Sequence, residues 1–559
     1  PATTSTGSAR TAAAGTASGT SDGGRAGLKG VIVKERDENR ELMGVVENAA
    51  EDRVKDWAAM DRRDFLRMTA AATGGLLAGS AALSSFPDVG YANDWAPLSF
   101  PRMVLYNCSL FDGVQSRLLK GQIVIVEDGK IRAIEPWGDL GGFSSYQTVN
   151  LGGRTLLPGL IDNHVHITVP FINRVTLGAI RQMDRQIALN FRNCIMGGVT
   201  TVRDVGGFPA KVIKYRAMAD ANEIPGPRVI SSLSPIAARE GDELGAPGSA
   251  PYFTNPVIKW FLGGNYAERP SNVAEIEECC DRMIALGAQW LKTLYQEHTS
   301  SYYARTLPNH SDEGYRAILA KGREAGLKCA LHEPEVGGFK KGVDLGFHTL
   351  EHTPADGEIP DAYVEKFMKQ GMAIMPTMVV QGDVLITDQL LELMETRGEE
   401  FLVPESLEQI TAQVKELKAL QSRELSEDEQ RALHYEPRYS ADMFANVQAN
   451  VKKLVRMGAD VGIGTDIGNP STQFFGRYTD EFKHFAAIGI PNADILRRAT
   501  SLNARIIDMQ EKIGTIEKGK DADLIAVRGD PLVDLEAMDR VDVVMKGGVF
   551  VKTEGVPLG

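Results

Sequence analysis

Between residues 158 and 512 the chain repeats one pattern, a short apolar run of strand character followed by a helical stretch. Strand-like runs separated by helices signal βαβ units and a parallel sheet. Candidate strands end at His166, Asp204, Ser232, Tyr295, Glu333, His352, Met378 and Asp466. Eight such exits are what an α/β fold of the (β/α)8 TIM-barrel type requires, and there the chemistry sits at the carboxyl ends of the strands. The segment from about 381 to 450 is too long for an ordinary connection and largely helical in character, so it is expected as an insertion near the mouth.

The residues at those exits narrow the chemistry. His164-Val165-His166 closes the run Gly159-Leu160-Ile161-Asp162, and alternate strand residues face the same way, so both imidazoles aim at one point. Two neutral imidazoles at a barrel mouth make half a metal site. Lys292 is the one cation in Gln289-Trp290-Leu291-Lys292-Thr293-Leu294, while His332, His352 and Asp466 each close an apolar run of their own. A titratable group at the exit of an apolar strand is costly by accident, and a shared metal accounts for it. Tyr295, three residues past Lys292, either donates to a developing oxyanion or packs at the strand end. His298 is near enough to the mouth to touch substrate. His348, four residues before His352, is expected deeper on the same face in a hydrogen-bonded core role. Arg203-Asp204 either orients groups behind the ligands or forms a structural ion pair, the second being the favoured reading.

Residues 102–157 hold short strands separated by turn residues, and 513–559 have the same character. The two ends are expected to complete one small β-sandwich domain beside the barrel at 158–512. At 559 residues the chain has room for both cores.

Ahead of these lies an address label. Residues 1–59 are expected to be a disordered or weakly helical extension, because the first 30 are almost all Ala, Gly, Ser and Thr. At 60–92 a basic segment with paired Arg62 and Arg63 precedes Phe65-Leu66, the run Met68 to Phe86 and Gly90-Tyr91-Ala92, which resembles a twin-arginine signal peptide. An exported protein, periplasmic or secreted and without stable membrane association once the signal is cleaved, is the expectation. The formal net charge of -13 argues against a nucleic-acid partner. Cys108, Cys194, Cys279, Cys280 and Cys329 contain no C-x-x-C pair and read as buried small hydrophobes.

Over about 102–552 the chain resembles the amidohydrolase superfamily, most closely its prolidase and imidazolonepropionase-like group. The motifs that carry the likeness are Leu157-Pro158-Gly159-Leu160-Ile161-Asp162-Asn163-His164-Val165-His166, Gly198-Val199-Thr200-Thr201-Val202-Arg203-Asp204, Leu350-Glu351-His352, Gly464-Thr465-Asp466 and the tail Gly514 to Leu524. The resemblance implies two divalent metal ions, with zinc as the default. His164 and His166 would hold the more buried ion and His332 and His352 the more exposed one. Lys292, carboxylated by carbon dioxide, would bridge both, and Asp466 would bind the first ion and serve as general base and then acid. It implies hydrolysis of a C–N amide bond in a dipeptide, an acylated amine or a cyclic amide, with an Xaa-Pro or Xaa-Arg dipeptidase as the leading choice.

Rival readings come from the same residues. His332-Glu333-Pro334-Glu335 fits the H-x-x-E pattern of one-metal zinc or iron deaminases, with Glu335 as proton shuttle. Against it, the interval from His332 to His352 suits adjacent strands of the two-metal group, and Lys292 has no role in a deaminase. Lactonase or phosphotriesterase chemistry uses the same activated water, and a non-catalytic scaffold would have lost ligand positions that are all filled here. The expected partner is a small molecule or dipeptide, and a homo-oligomer is left open.

Overall fold

The computed structural model describes residues 97–138, 140–169, 177–239, 266–298, 306–382, 388–422, 437–468 and 474–554. All belong to one compact unit, Pro87–Gly559. The expected extension at 1–59 and the expected signal at 60–92 lie outside the described residues. Among the described residues no helix is long and apolar enough to cross a membrane.

The fold is α/β with mixed and parallel sheets. At the amino end, β1 (Leu98–Ser99), β2 (Arg102–Leu110), β3 (Leu119–Glu127), β4 (Lys130–Pro136), β5 (Gln147–Asn150) and β6 (Thr155–Pro158) precede the parallel strands. A three-stranded sheet follows, β7 (Leu160–Val165), β8 (Val199–Asp204) and β9 (Arg228–Ser231), in that order. Five more strands form a second sheet in sequence order: β10 (Trp290–Leu294), β11 (Lys328–His332), β12 (Thr349–Glu351), β13 (Ala373–Met375) and β14 (Asp460–Val461). Every pairing in both sheets is parallel. β7 and β8 are buried along their whole length although Asp162, Asn163, His164, Arg203 and Asp204 lie on them, so polar groups that need partners are enclosed where these strands end.

One connection shows how the sequence sets the geometry. Helix Asp312–Ala325 starts at Ser311, whose side chain accepts from Gly314 N, carries Asp312 and Glu313 in its first turn, and stops at Gly326 with φ of 67°. The cap, the acidic first turn and the left-handed glycine are the usual start and stop devices of a helix. They return the chain within one residue to β11, which ends at His332.

Backbone hydrogen bonds join the two parallel sheets at both margins. Asp466 N donates to His164 O at 2.7 Å and His166 N to Ile467 O at 2.8 Å, while Gln289 N donates to Ser231 O and Ile236 N to Lys292 O, each at 2.8 Å. The ladder nonetheless runs as two sheets and not as one ring. Gly462 and Gly464 follow β14 and shorten it to two residues, since glycine weakens a strand interior. The strand expected to end at Met378 stops at Met375, because Thr377 turns the chain with φ of 49° and Met378 opens helix Met378–Gly382.

The amino-terminal and carboxyl-terminal β segments share one nine-stranded sheet. Its path is β1, β17 (Val549–Thr553), β16 (Val541–Lys546), β15 (Leu524–Val527), β6, β2, β3 and β4, with β5 on β2. The ends meet where β6 pairs antiparallel with β15. Met103, Leu105, Val124, Leu156, Leu524 and Met545 bury in one core drawn from both ends. In the segment read as an insertion, the described parts are helices Asp388–Arg397, Pro404–Gln421 and Pro437–Met457. It is tied to helix Leu177–Met196 by Gln186 Nε2 donating to Phe401 O and Asn193 Nδ2 donating to Glu400 O. All five cysteines are buried and unpaired.

Candidate metal centre

Three side chains from the two ends of the parallel series meet first. Asp466 Oδ1 stands 3.3 Å from His164 Nε2 and 3.0 Å from His166 Nε2, and all three residues are buried. Their ligand atoms lie within 4.8 Å of one another, close enough to share a cation. Burial pushes the Asp466 carboxyl up, but His164 and His166 outweigh it and hold it well below the usual carboxylate range.

His332 and His352 form the second group. His352 Nε2 is 2.8 Å from His332 Nδ1, and the His352 ring lies 5.0 Å from that of His164. Burial drives both imidazoles down, His352 to about 3 and His332 well below its ordinary value, so both are neutral and hold lone pairs. Lys292 is buried, its Nζ has no hydrogen-bond partner, and burial lowers its ammonium to about 8 against the attraction of Glu351. Lys292 lies on β10, whose last residue pairs in register with His332. Neutral imidazoles and an ionised carboxylate are a donor set that suits divalent ions.

Each histidine is oriented from behind. His164 Nδ1 is 2.7 Å from Glu351 Oε2, His166 Nδ1 is 2.6 Å from Gly206 O, and His352 Nδ1 is 2.7 Å from Thr377 Oγ1. His332 Nε2 faces Gln296 Oε1 at 3.1 Å, and Tyr266 Oη approaches His166 Nδ1 at 3.1 Å. Behind Glu351, Arg203 is fully buried and reaches both carboxylate oxygens through Nη2 at 2.7 and 2.8 Å. Two of the donors sit in left-handed backbone, His352 with φ of 77° and Asp466 with φ of 59°.

Several sequence expectations need correction. Tyr295 donates its hydroxyl to Glu297 Oε1 at 2.6 Å and packs its ring on Tyr315, the packed placement of the two expected for it. Glu335, the candidate shuttle, accepts from Glu297 N and His298 N through Oε2 and meets His298 Nδ1 at 2.7 Å through Oε1. Glu297, His298 and Glu335 thus make a separate cluster, and His298 is held by Glu335. His348 is exposed, its Nδ1 accepting from Cys329 N at 3.0 Å. Strand alternation does not reach it, because β12 spans only Thr349–Glu351. Arg203 pairs with Glu351, while Asp204 accepts from Ile167 N and from Ser231 Oγ.

Glu351, Gln296, Thr377 and Tyr266 were not singled out in the sequence. Only Glu351 carried a signal, a carboxylate on an apolar strand beside His352, the same oddity that marked Lys292. A cleft lined by Arg216, Arg228, Gln289 and Lys512 opens at the amino ends of β9 and β10, away from the histidines.

The amidohydrolase family model matches residues 155–551. No curated protein matches the chain in sequence. Among solved structures the chain is similar to a Xaa-Pro dipeptidase with bound methionine, at 20% identity over 81% of this chain and 100% of that one, with a TM-score of 0.61. It is similar to an A. niger ochratoxinase at 18% identity, covering 81% of this chain and 96% of that one, with a TM-score of 0.59. Phenylurea hydrolase B matches at 18% identity over 80% and 96% of the two chains, with a TM-score of 0.59. At these identities the likeness is one of fold.

Proposed function

Because the chain belongs to the amidohydrolase family, we propose that this metal-dependent hydrolase uses a binuclear centre to add water across a C–N amide bond, with an Xaa-Pro or Xaa-Arg dipeptide as its leading substrate. The observation that carries this reading is the meeting of His164, His166 and Asp466 beside the His332 and His352 pair, with the buried, unpaired amine of Lys292 on β10, the strand paired with the one that ends at His332. The two parallel sheets, hydrogen-bonded at both margins, are read as arcs of one (β/α)8 barrel. The nine-stranded sheet, drawn from both ends of the chain, is read as the β-sandwich.

Divalent ions, zinc by default, would be held by His164, His166 and Asp466 on one side and His332 and His352 on the other. They would supply the positive charge that acidifies a water and polarises a carbonyl. Lys292 would be suited to the bridging position: its amine nitrogen would add to carbon dioxide and lose a proton, giving a carbamate whose single negative charge is shared by two oxygens. An amine lowered to about 8 presents more of the neutral, reactive form near neutrality than an ordinary lysine does. Asp466, ionised, takes a proton from the attacking water and returns it to the leaving nitrogen. Glu335 meets His298 and the Glu297 backbone, which favours the two-metal reading over the deaminase alternative.

The substrate choice follows the group resemblance, and the likeness to a Xaa-Pro dipeptidase structure supports it. Export rests on the leader at 60–92. Metal analysis together with a panel of Xaa-Pro and Xaa-Arg dipeptides, N-acyl amino acids, lactones and hydantoins tests the proposal. Two ions per chain with amide hydrolysis is the expected result. One ion per chain with an active Lys292→Ala variant, or no amide cleaved by metal-loaded protein, overturns it.

A further inference from the structure

We infer that Arg203 and Glu351 are a positioning pair that fixes the tautomer and direction of His164 and thereby sets the metal affinity of the His164, His166 and Asp466 position. The inference rests on the metallohydrolase reading. It adds a function for two fully buried charges.

Glu351 is held from three directions. Arg203 Nη2 donates to both carboxylate oxygens, Thr349 Oγ1 donates to Oε1 at 2.6 Å, and Oε2 faces His164 Nδ1 at 2.7 Å. Arg203 is itself fixed. Its Nε donates to Asn163 O at 2.6 Å, its Nη1 donates to Thr349 Oγ1 at 3.0 Å, and the guanidinium lies over the Trp290 ring, 4.6 Å from its centroid. An ionised carboxylate only accepts, so His164 donates from Nδ1 and turns Nε2, the atom beside Asp466, toward the place an ion would take. The arginine bonds to the backbone carbonyl of the residue before His164 while its carboxylate partner bonds the His164 ring, so one rigid unit fixes both ends of this ligand.

Stability alone is a poor reason for such a pair. Taking two charges out of water offsets most of their attraction, and apolar residues of similar size often serve the fold as well. Carboxylates behind metal-binding histidines raise ligand basicity and fix ring orientation, and their loss lowers metal affinity about 10- to 100-fold.

The test is zinc affinity of the full metal-free chain, measured by competition with a chromophoric chelator, with thermal melting of the metal-free protein as the fold control. Glu351→Gln is expected to weaken the tighter zinc site about 10- to 100-fold. The same change made in a His164→Ala background is expected to have no further effect on zinc, which a merely structural role would not produce. Where Glu351→Gln fails to fold, Thr349→Val removes one donor to the carboxylate and leaves its charge paired. It is expected to weaken zinc several-fold, with Thr349→Ser restoring the wild-type value. Unchanged zinc affinity in Glu351→Gln, or in Thr349→Val where that variant carries the test, overturns the positioning role alone. A wild-type chain that binds no zinc, manganese or cobalt overturns the metallohydrolase reading beneath it.

Discussion

His352 Nε2 lies 2.8 Å from His332 Nδ1, a hydrogen bond between two imidazoles that burial keeps neutral. One of the two must donate. Gln296 Oε1 accepts from His332 Nε2, which leaves His332 Nδ1 bare, so the proton between the rings belongs to His352. Thr377 then donates to His352 Nδ1. For both rings to face a cation, His352 must carry its proton on Nδ1 instead, with Thr377 switching from donor to acceptor, a role its hydroxyl allows.

Thr377→Val removes that acceptor. The expected outcome is retention of the tighter ion and weakening of the second by on the order of 10-fold. Two-site zinc titration checks it; equal weakening of both sites, or of neither, counts against the tautomer argument.

Asp466→Asn removes the proposed acid and base while keeping size. A fall in kcat of about 100- to 10,000-fold is expected, with KM changed much less. Steady-state kinetics on the best substrate of the panel decides this, and a variant limited only in KM would place Asp466 outside the proton transfer.

Lys292 makes metal-free stability depend on pH. Its folded value of about 8 lies below the ordinary 10.5, so between these values the unfolded chain binds a proton that the folded chain does not. Stability therefore rises with pH across that window, and the penalty, roughly 3 kcal/mol, is complete below pH 8. In metal-free, carbon-dioxide-free buffer, Lys292→Met is expected to be more stable than wild type near pH 7, with the difference shrinking toward pH 10.5. Urea midpoints taken across that range provide the comparison, and a difference independent of pH would reject the assignment.

Gly464→Ala tests packing behind a ligand without touching one. A Cβ at this position would sit 2.7 Å from His164 Cβ and 3.1 Å from Met375 Cβ. Crowding of this kind destabilises by about 1–3 kcal/mol. The displaced His164 is expected to cost zinc affinity as well, so a melting curve and a zinc titration should move together.

Strand-end chemistry was legible in the sequence because a charge or imidazole stands out against an apolar run. That contrast marked His164, His166, Lys292, His332, His352 and Asp466, whose neighbourhood in space is described above. What misled was parity beyond a strand's end. The expectation for His348 counted residues as though the strand ran from 348 to 352, whereas β12 has three residues and His352 already lies at positive φ. Gln296 and Thr377 were not legible, since polar residues in loops are ordinary and only their three-dimensional approach to a ring gives them meaning. The β segments at the two ends were recognisable by alternation, but their joining through β6 and β15 gives one continuous sheet.

His352 and Asp466 occupy a backbone conformation that disfavours residues with a Cβ, by roughly 1–3 kcal/mol each. The fold carries that strain at two proposed donors, so exchanging either residue for glycine is expected to relieve it while removing the donor.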